Sequence, residues 1–456
     1  MQKLSPTIFR EYDIRGMVDV DLTEPAVNLV GKAFGTKVRA AGGRRVAVGR
    51  DTRLSGPRFA RAMLDGLTST GIDALDLGVV PTPLTYFAAH TLDVQGICMI
   101  TGSHNPPEYN GLKVGFGSAT FHGAEIQELR ALAESGRFSI GAGSVTAHDM
   151  VRPYQERVLK NLRCGPRRLK VAVDAGNGTG GVVGVPIFES LGFEVVPLFL
   201  EPDGNFPNHH PDPTVEKNLE VLCRTVLEVG ADVGIAYDGD ADRLGAVDEK
   251  GDILWGDQIM ILFSRAILRE EPGAAIVGEV KCSMTLYDDI ARHGGRPIMW
   301  KTGHSLIKAK MKEEHAQLAG EMSGHIFFAH RWYGFDDGIY SSARLLELLT
   351  HTDRPLSALF ADVPRTFSTP EIRVDCPEDK KFAVVRLAQE WFKARYQAVT
   401  VDGVRVVFPD GWGLVRASNT QPLLVLRFEA STARRLAEIQ ALVQGRVDEI
   451  LHQLGA

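Results

Sequence analysis

The chain has 456 residues, of which 44% are hydrophobic and 24% are charged, a balance typical of globular proteins rather than of disordered, fibrous or membrane chains. This length suggests roughly three or four domains of ordinary size. Because 51 Lys and Arg stand against 57 Asp and Glu, the formal net charge is -6, and no overall basic field is present to attract nucleic acid.

The N-terminal stretch MQKLSPTIFREYDIRG lacks the apolar core of a secretory signal. No later segment approaches the ~18 uninterrupted apolar residues that a membrane span needs. The five cysteines include no CxxC pair, and their odd number argues against a disulfide framework. We therefore expect reduced thiols, a cytoplasmic location, and no membrane or nucleic-acid partner.

One pattern occurs three times along the chain: a β-branched run, a polar or glycine-bearing turn, an amphipathic stretch, and a second apolar run. The first runs are RVAVGRD, KVAVDAGNG and AAIVGEV, and the second runs begin at Gly71, Gly192 and Gly294. Strand, crossover helix and strand in this order form a βαβ unit, whose two strands pair in parallel. The sequence therefore predicts an α/β fold with three related domains.

The pattern changes after about Thr366. Residues 399–430 read as strands joined by Asp-Gly turns, and residues 431–454 have apolar residues at helical spacing behind a Ser/Thr cap. This predicts a smaller C-terminal α+β domain. The expected domains are 1–149, 150–251, 252–366 and 367–456.

The stretch TGSHNPP (Thr101–Pro107) follows the apolar run GICMI. Ser103, on a glycine-flanked turn after a strand, could be a nucleophile, a helix cap or a turn former. Adjacency alone does not make Ser103 and His104 a catalytic pair, and no GxSxG elbow is present. This motif alone leaves the role of the serine open.

The stretch YDGDADR (Tyr237–Arg243) places Asp238, Asp240 and Asp242 at alternate positions. Three such carboxylates repel one another unless a cation lies among them, and oxygen-only ligands favour Mg²⁺ or Ca²⁺ over zinc. An EF-hand is disfavoured, because Arg243 stands where the sharp-turn glycine is needed and the flanks predict strands. A solvated acidic turn remains the alternative.

The stretch GEMSGH (Gly320–His325) brackets polar side chains with glycines, and KTGHS (Lys301–Ser305) lies upstream. Such a loop can bring hydrogen-bonding groups close to a ligand rich in hydroxyls. A plain polar turn ahead of the run IFFAH fits equally well.

The stretch RASNTQP (Arg416–Pro422), between two apolar runs, supplies a cation, two hydroxyls, an amide and turn N–H groups, as a phosphate cradle would. A simple hairpin connection is the alternative. Four arginines outside these motifs can be interpreted as surface charges: Arg10, Arg15, Arg50 and Arg53.

The serine turn, the acidic loop, the hydroxyl-binding loop and the phosphate cradle occur in this order, one in each expected domain. This combination resembles the α-D-phosphohexomutase family, and the resemblance extends over nearly the whole chain, from FREYDIRG (Phe9–Gly16) to the last loop. GEMSGH is similar to the phosphomannomutase/phosphoglucomutase branch, whereas glucosamine mutases tend to have GEQSGH. The resemblance implies four domains around a central cleft.

The resemblance also implies a reaction. Ser103 would be a phosphoserine whose phosphate bridges to one Mg²⁺ held by Asp238, Asp240 and Asp242. It would donate its phosphoryl group to a hexose monophosphate, and the resulting bisphosphate would turn over in the cleft and return its other phosphoryl group. Glucose 1,6-bisphosphate or mannose 1,6-bisphosphate would be the activator. The partners would be the hexose phosphates of mannose and glucose. The protein would be a monomer or a homodimer.

By the same resemblance, Arg243 would add a fixed cation beside the phosphoserine, and His104 would steady its loop or a phosphate oxygen. The general base stays open among Lys113, His304 and His325.

Glu321 and Ser323 would contact O3 and O4 of the sugar. The cradle at 416–422 would hold whichever phosphate is not reacting. The other implied substrate-binding residues are Tyr12, Arg15, Lys281, Thr302, Gly303, Arg416, Ser418, Asn419 and Thr420.

Three other functions remain as alternatives. One is a phosphoglucosamine mutase, the second is a non-catalytic sugar-phosphate binding protein, and the third is a metal-dependent phosphatase in which water takes the phosphoryl group.

Overall fold

The structure is a computed structural model that describes residues 4–419 and 421–455. Thr420, which the sequence assigns to the phosphate cradle, lies outside the described residues. Four sheets follow one another along the chain, and each belongs to one domain.

Domain 1 contains a seven-stranded mixed sheet. Its strands are β1 (Ile14–Met17), β2 (Arg45–Arg50), β3 (Asp73–Val79), β4 (Gly96–Ile100), β5 (Tyr109–Phe116), β6 (Ala119–Thr120) and β7 (Val145–Ala147). Its helices are α1 (Glu24–Ala40), α2 (Gly56–Thr68), α3 (Thr82–Thr91) and α4 (Ala124–Ser135), with a 3-10 turn at Pro6–Ile8. The strand order is β1-β5-β4-β2-β3-β7, with β6 paired to β5.

Domain 2 contains a five-stranded sheet in the order β12-β11-β10-β8-β9, with the following elements. The helices are α5 (Val151–Asn161), α6 (Gly180–Ser190) and α7 (Glu216–Val229). The strands are β8 (Lys170–Asp174), β9 (Glu194–Leu198), β10 (Val233–Tyr237), β11 (Leu244–Asp248) and β12 (Ile253–Leu254).

Domain 3 contains a four-stranded sheet in the order β14-β13-β15-β16, with the following elements. The strands are β13 (Ala275–Glu279), β14 (Arg296–Trp300), β15 (Leu318–Gly320) and β16 (Ile326–Phe328). The helices are α8 (Gly256–Glu270), α9 (Met284–Arg292), α10 (His304–Glu314) and α11 (Gly338–Thr350), with a 3-10 turn at Leu356–Phe360.

Domain 4 contains an antiparallel six-stranded sheet in the order β17-β22-β21-β20-β19, with β18 also paired to β22. The strands are β17 (Phe367–Ser368), β18 (Ile372–Asp375), β19 (Gln397–Val399), β20 (Val404–Phe408), β21 (Gly411–Ala417) and β22 (Leu423–Ala430). The helices are α12 (Lys381–Lys393) and α13 (Ala433–Leu454).

The three predicted βαβ units are confirmed. In each, two strands joined through one helix pair in parallel: β2 with β3, β8 with β9, and β13 with β14. The predicted α+β ending is confirmed as well. The last helix begins after Thr432, whose hydroxyl accepts a hydrogen bond from the backbone N–H of Arg435 at 3.2 Å, as a helix cap does.

The buried hydrophobic residues connect the first three domains with one another more extensively than with the fourth. One continuous buried cluster joins domains 1, 2 and 3, and includes Phe87, Tyr154 and Trp332. The rings of Phe87 and Trp332 stack with centroids 6.0 Å apart. Domain 4 has its own cluster, in which the sheet residues pack against α13. Domains 1 to 3 therefore share a core. Domain 4 packs mainly within itself and meets domain 3 through a small buried cluster of Val280, Trp412 and Leu414.

None of the described helices combines the length and the apolarity needed to cross a membrane.

Candidate active site

The loop that carries Ser103 runs from the carboxyl end of β4 to β5. Ser103 is 2% exposed and has a φ of 48°, a left-handed conformation that a serine adopts when its surroundings enforce it. Its N–H donates to Oγ1 of Thr101 at 2.8 Å. Its hydroxyl donates to Oδ2 of Asp238 at 2.8 Å and lies 3.2 Å from Nδ1 of His104. The loop thus directs the serine hydroxyl onto the acidic loop of domain 2.

A buried arginine holds this loop in shape. The guanidinium of Arg53 donates to the carbonyls of Ser103 at 2.8 Å, Asn105 at 2.5 Å, Pro106 at 2.6 Å and Tyr109 at 2.7 Å. Because Arg53 is only 1% exposed, its interpretation as a surface charge is wrong. Its partners are backbone carbonyls, which leave no mark in the sequence.

Asp51 supports the same loop from the end of β2. Its carboxylate accepts from Oγ1 of Thr101 at 2.7 Å, the N–H of Gly102 at 3.2 Å and Nε of Arg53 at 3.2 Å. A Cβ at residue 102 would lie 2.4 Å from the guanidinium carbon of Arg53, so this position requires glycine. The glycine beside the serine therefore makes room for the arginine.

The acidic loop connects β10 to β11, so strands flank it on both sides as predicted. Asp238, Asp240 and Asp242 are all fully buried, and one oxygen from each lies within 4.8 Å of the others. Within the described residues, Oδ1 of Asp240 and Oδ1 of Asp242 have no hydrogen-bond partner. This oxygen-only donor set fits a hard divalent cation such as Mg²⁺.

Domain 1 supplies donors to this loop. The Lys113 ammonium, on β5, donates to Oδ2 of Asp240 at 2.8 Å and to Oδ2 of Asp242 at 2.5 Å. Thr82, the first residue of α3, donates its hydroxyl to Oδ2 of Asp240 at 2.5 Å and its N–H to the Asp240 carbonyl at 2.9 Å. No sequence pattern pointed to Thr82, because its partner lies in another domain.

The carboxylates differ in their electrostatics. Burial raises the pKa of Asp238 well above its usual range, and the charges of Asp242 and Asp240 add to this effect. Burial would also raise the pKa of Asp242, but Lys113 and His325 outweigh it and hold this pKa well below its usual range. Burial would lower the pKa of Lys113, but Asp240 and Asp242 raise it well above its ordinary value.

The loop between β15 and β16 carries Glu321, Ser323 and His325. The Glu321 carboxylate accepts from Oγ of Ser323 at 3.2 Å and from the backbone N–H of Gly303 at 2.7 Å, and it lies 2.6 Å from Nδ1 of His325. On the other side of its ring, Nε2 of His325 lies 3.2 Å from Oδ1 of Asp242. This histidine therefore connects the sugar-binding candidates to the acidic loop.

Arg243 strengthens that connection. Its backbone forms an isolated bridge with His325, and its Nε lies 3.3 Å from Nε2 of the same residue. Burial would lower the pKa of His325, but the Asp242 carboxylate outweighs it and raises this pKa to about 9. Burial would raise the pKa of Glu321, but the hydrogen bond and charge of His325 lower it to about 2. His325 and Glu321 thus form a charged pair at neutral pH.

His304 is the first residue of α10 and is 8% exposed. Burial and the cations of Lys308 and Lys113 hold the pKa of His304 well below its usual range. His104 behaves alike, because burial, Arg243 and Arg15 lower its pKa well below the usual range. Both rings are therefore neutral at physiological pH.

Residues from three domains meet at Tyr12. Its hydroxyl donates to the carbonyl of Thr302 at 2.8 Å and accepts from Nδ2 of Asn419. A Cβ at Gly303 would lie 2.5 Å from the Tyr12 ring, and Gly303 has a φ of 127°, so only glycine fits there. The Lys301–Ser305 stretch thus lies between domain 1 and domain 4.

The strand before the candidate phosphate cradle extends further than the sequence suggested. Arg416 belongs to β21, where it pairs with Val425, rather than to the loop. Its Nε donates to Oδ2 of Asp402 at 3.0 Å, and the same oxygen accepts from the N–H of Thr302 at 3.1 Å. The Ser418 carbonyl accepts from the buried Lys381 ammonium at 2.6 Å.

Two further predicted residues, Lys281 and Arg15, pair with carboxylates. Lys281 donates to Oε2 of Glu371 at 3.3 Å, which joins domain 3 to domain 4. Arg15, on β1, donates to Oδ2 of Asp13 at 2.5 Å. The charge of Arg15 reaches the site by lowering the pKa of His104, after burial and Arg243.

Models of four family domains match the chain in order. They are described as phosphoglucomutase/phosphomannomutase alpha/beta/alpha domain I at residues 6–139, domain II at 152–251, domain III at 255–367, and C-terminal domain at 371–445. The fold and the site together define the class of protein. It is a four-domain α/β protein in which a serine, an acidic loop and a glutamate–histidine loop meet at one site. The chain belongs to the phosphoglucomutase/phosphomannomutase family.

Similar proteins cover nearly the whole chain. The phosphomannomutase/phosphoglucomutase of Pseudomonas aeruginosa strain PAO1 is 46% identical over 450 residues, which is 98% of this chain and 96% of that one. The phosphoglucomutase of Neisseria gonorrhoeae is 45% identical over 96% of each chain. A crystal structure of a phosphoglucomutase/phosphomannomutase family protein from Burkholderia thailandensis superposes with a TM-score of 0.93 at 44% identity, covering 98% of each chain.

Proposed function

We propose that the protein interconverts the 1-phosphates and 6-phosphates of mannose and glucose, through a phosphoserine at Ser103 and a hexose 1,6-bisphosphate. The observation that carries this proposal is the 2.8 Å hydrogen bond from the Ser103 hydroxyl to Asp238, at the edge of the buried three-aspartate cluster. The names of relatives with 45–46% identity support the substrate class.

Asp238, Asp240 and Asp242 would hold one Mg²⁺ per chain. Two buried carboxylate oxygens of this cluster lack hydrogen-bond partners within the described part of the chain, which supports the assignment. When bound, the ion supplies positive charge that stabilises the oxygens of the transferring phosphoryl group.

In the first half-reaction a sugar hydroxyl oxygen bonds to the phosphorus of phospho-Ser103 while the bond from phosphorus to the serine Oγ breaks. The hydroxyl proton passes to a general base. The second half-reaction reverses these steps with the other phosphoryl group of the bisphosphate, so that both the phosphoryl group and the proton return. Arg243, buried against Asp212 and the acidic loop, would contribute a fixed positive charge near the transferring group.

The general base would be Lys113, His304 or His325, whose side chains gather beside the acidic loop. Burial and the cations of Lys308 and Lys113 hold the pKa of His304 well below its usual range, so this ring is neutral. Burial would lower the pKa of Lys113 and of His325, but carboxylates of the acidic loop raise both. A cation held by the same carboxylates would oppose these increases, so the shifts do not decide among the three residues.

Substrate binding would use both ends of the site. Glu321 and Ser323 would accept and donate hydrogen bonds to ring hydroxyls, while Arg416, Ser418 and Asn419 would hold the phosphate that is not reacting. Because the bisphosphate must present either end to Ser103, the two subsites must tolerate a reoriented ring. The remaining contacts would come from Tyr12, Arg15, Lys281, Thr302 and Gly303.

Glucose 1,6-bisphosphate or mannose 1,6-bisphosphate would be the activator, because it restores a phosphoserine that has lost its phosphoryl group. The compartment would be the cytoplasm, where the five free cysteines stay reduced.

The experiment tests a panel of substrates and monitors each reaction by phosphorus NMR. Mannose 1-phosphate, glucose 1-phosphate and glucosamine 6-phosphate are each supplied with Mg²⁺ and a trace of glucose 1,6-bisphosphate. We expect conversion of the first two to 6-phosphates. Preference for the amino sugar would identify a phosphoglucosamine mutase, and phosphate release at the rate of substrate loss would identify a phosphatase. Binding without turnover would identify a binding protein.

A further inference from the structure

The predicted sugar-binding residues of domain 3 lie on three loops that follow adjacent strands of one sheet. β13 lies between β14 and β15, and it pairs in parallel with both. The five predicted residues are Lys281 after β13, Thr302 and Gly303 after β14, and Glu321 and Ser323 after β15. Ligands of α/β sheets bind beyond the carboxyl ends of the parallel strands. The relative placement of the three loops therefore decides the shape of this part of the site.

Glu279, the last residue of β13, contacts all three loops. Its Oε2 accepts from the backbone N–H of Lys281 at 2.9 Å and from the Thr302 hydroxyl at 2.8 Å. Its Oε1 accepts from the backbone N–H of Met322, in the loop after β15, at 3.4 Å. One side chain therefore binds one donor from each loop.

The backbone of Glu279 is itself held in place. Glu279 pairs with Trp300 across the sheet. Its carbonyl accepts from the Tyr287 hydroxyl of α9 at 2.7 Å and from the N–H of Cys282 at 2.9 Å. A binding site is most accurately placed when its supports belong to strands or helices. The three loops therefore share one anchor on a fixed part of the sheet.

The charge of Glu279 is costly for the fold alone. The residue is fully buried, and a buried carboxylate loses its hydration, which hydrogen bonds and opposite charges must offset. The Lys281 ammonium is 4.0 Å from Oε1, which is beyond a hydrogen bond, and it lies closer to Glu371, at 3.3 Å. The groups that do bond to the Glu279 carboxylate are the three donors from the loops, which match an acceptor-only side chain.

We propose that Glu279 is a positioning residue for substrate binding, which fixes the loops of Lys281, Thr302 and Met322 relative to one another so that they contact the hexose phosphate together. This inference rests on the proposed function, because it assigns a support to the substrate site of that reaction. Glu279 acts only through the three loops, by the hydrogen bonds that it accepts from them.

Two substitutions of Glu279 remove different numbers of these contacts. In Glu279→Gln the amide oxygen can keep the N–H of Lys281 and the hydroxyl of Thr302, whereas the amide NH₂ then faces the N–H of Met322, and two donors cannot bond. Glu279→Met removes all three contacts with a side chain of similar length. We therefore expect a graded loss of substrate binding, small for Glu279→Gln and large for Glu279→Met.

The first readout is the KM for glucose 1-phosphate in the mutase assay. We expect KM to rise by about 5-fold in Glu279→Gln, the loss of one hydrogen bond, and by at least about 30-fold in Glu279→Met, with kcat changed by less than about 3-fold in both. Misplaced binding groups weaken the ground state and the transition state alike, which raises KM and leaves kcat. An unchanged KM in Glu279→Met, or a fall in kcat with KM unchanged, would overturn the inference.

The second readout does not depend on turnover or on the folding of Glu279→Met. Binding of glucose 1-phosphate to full-length Ser103→Ala protein is measured by isothermal titration calorimetry. Adding Thr302→Val, which removes one donor to Glu279, should weaken binding by about 5-fold, whereas Thr302→Ser keeps the hydroxyl and should bind as the parent does. Equal binding by these two variants would overturn the inference. So would additive losses in Thr302→Val combined with Glu279→Met, because the two residues would then act separately.

The matched control is the same pair of substitutions at Glu347, a buried glutamate on α11 of the same domain. Its carboxylate accepts from the N–H of Arg163 at 3.0 Å and from the Arg331 guanidinium at 2.7 Å, and none of its partners among the described residues lies on the three loops. We expect Glu347→Gln and Glu347→Met to lower the melting temperature and to leave KM and kcat unchanged. A wild type that fails to interconvert hexose phosphates would refute the proposed function. An active wild type whose KM survives Glu279→Met would refute only the role of Glu279.

Discussion

At the scale of single residues, Arg53 is the main support of the loop that carries Ser103. Its guanidinium binds four backbone carbonyls there and pairs with the buried carboxylate of Asp51. We expect Arg53→Met to lower the free energy of unfolding by about 3–5 kcal/mol, because it leaves Asp51 buried without its cation. Urea unfolding followed by circular dichroism measures this loss.

The control for that experiment is Arg58→Met, which removes a largely exposed ion pair with Asp19. An exposed pair contributes little, so its unfolding midpoint should remain close to that of the wild type. Equal midpoints for the two variants would mean that the carbonyls of the serine loop do not depend on Arg53.

The acidic loop was predictable from sequence, whereas its supports were not. Asp238, Asp240 and Asp242 stand close together in the chain, and their mutual repulsion itself indicates a cation. Arg53 and Thr82 act on groups 50 or more residues away, and their partners are backbone carbonyls or carboxylates in another domain. No local pattern records such contacts.

A charge-removing change in the acidic loop separates activity from stability. Asp240→Asn relieves repulsion among three buried carboxylates, so the fold should lose little, while the cation and the phosphoryl oxygens lose a partner. We expect kcat to fall by at least about 100-fold and the melting temperature to change little. A mutase assay with Mg²⁺ and differential scanning calorimetry measure the two effects.

Asp248→Asn is the control for that change, because Asp248 caps a turn at the end of β11 through the N–H groups of Lys250 and Asp252. Asp248→Asn should lower the melting temperature and leave kcat unchanged, which is the reverse of the expectation for Asp240→Asn. Full activity of Asp240→Asn, or of the wild type in excess chelator, would be incompatible with the metal assignment.

At the scale of elements, the parallel βαβ units could be predicted because apolar runs, glycine turns and helical spacing are local properties. The extent of each strand could not. β21 continues through Arg416 and Ala417, since backbone pairing with β22 does not depend on side-chain polarity. The sequence motif therefore placed a strand residue in a loop.

One element offers a test of pH dependence. His209 lies between β9 and α7, with Nε2 3.1 Å from each oxygen of Asp174 at the end of β8. Burial would lower the pKa of His209, but the hydrogen bond to Asp174 outweighs it and raises this pKa. The stabilisation is therefore fully present below the unfolded-state pKa of about 6.5 and is lost as the pH rises through the raised value.

We expect the difference in unfolding free energy between wild type and His209→Gln to be largest near pH 5.5 and to shrink toward pH 9. The measurement is urea unfolding at a series of pH values. For His90→Gln we expect the opposite pH dependence of this difference in unfolding free energy. Burial lowers the pKa of His90, so the contribution of His90 to stability is lost as the pH falls. A difference for His209→Gln that grows with pH would contradict the ion pair.

At the scale of the whole molecule, the division of the core suggests how the site opens. Domains 1 to 3 share one buried cluster, and domain 4 has its own. Domain 4 meets domain 3 through a small buried cluster of Val280, Trp412 and Leu414. It also makes polar contacts with the other domains, among them Tyr12 with Asn419 and Lys281 with Glu371. Because the shared apolar cluster is small and the polar contacts can exchange with water, we expect domain 4 to move as a unit when substrate enters and leaves.

Tyr12→Phe tests that expectation. The change removes the hydroxyl that joins Thr302 of domain 3 to Asn419 of domain 4 and leaves the ring in place. We expect kcat/KM for glucose 1-phosphate to fall by about 10-fold, the loss of one or two hydrogen bonds in the closed form, with little change in melting temperature.

Tyr396→Phe is the control for Tyr12→Phe, because Tyr396 packs against Phe408 and Phe392 within domain 4, away from the site. It should leave kcat/KM unchanged. A large fall in melting temperature for Tyr12→Phe, with kcat/KM unaffected, would make the Tyr12 hydroxyl a support of the fold rather than of closure.

The central claim, that Ser103 carries the phosphoryl group between the two ends of the sugar, is tested most directly by the intact mass of the purified protein. We predict that a fraction of the wild type carries one covalent phosphoryl group, that excess glucose 1-phosphate removes it, and that Ser103→Ala carries none. A wild type that is unphosphorylated and nevertheless interconverts hexose phosphates without added bisphosphate would contradict the account.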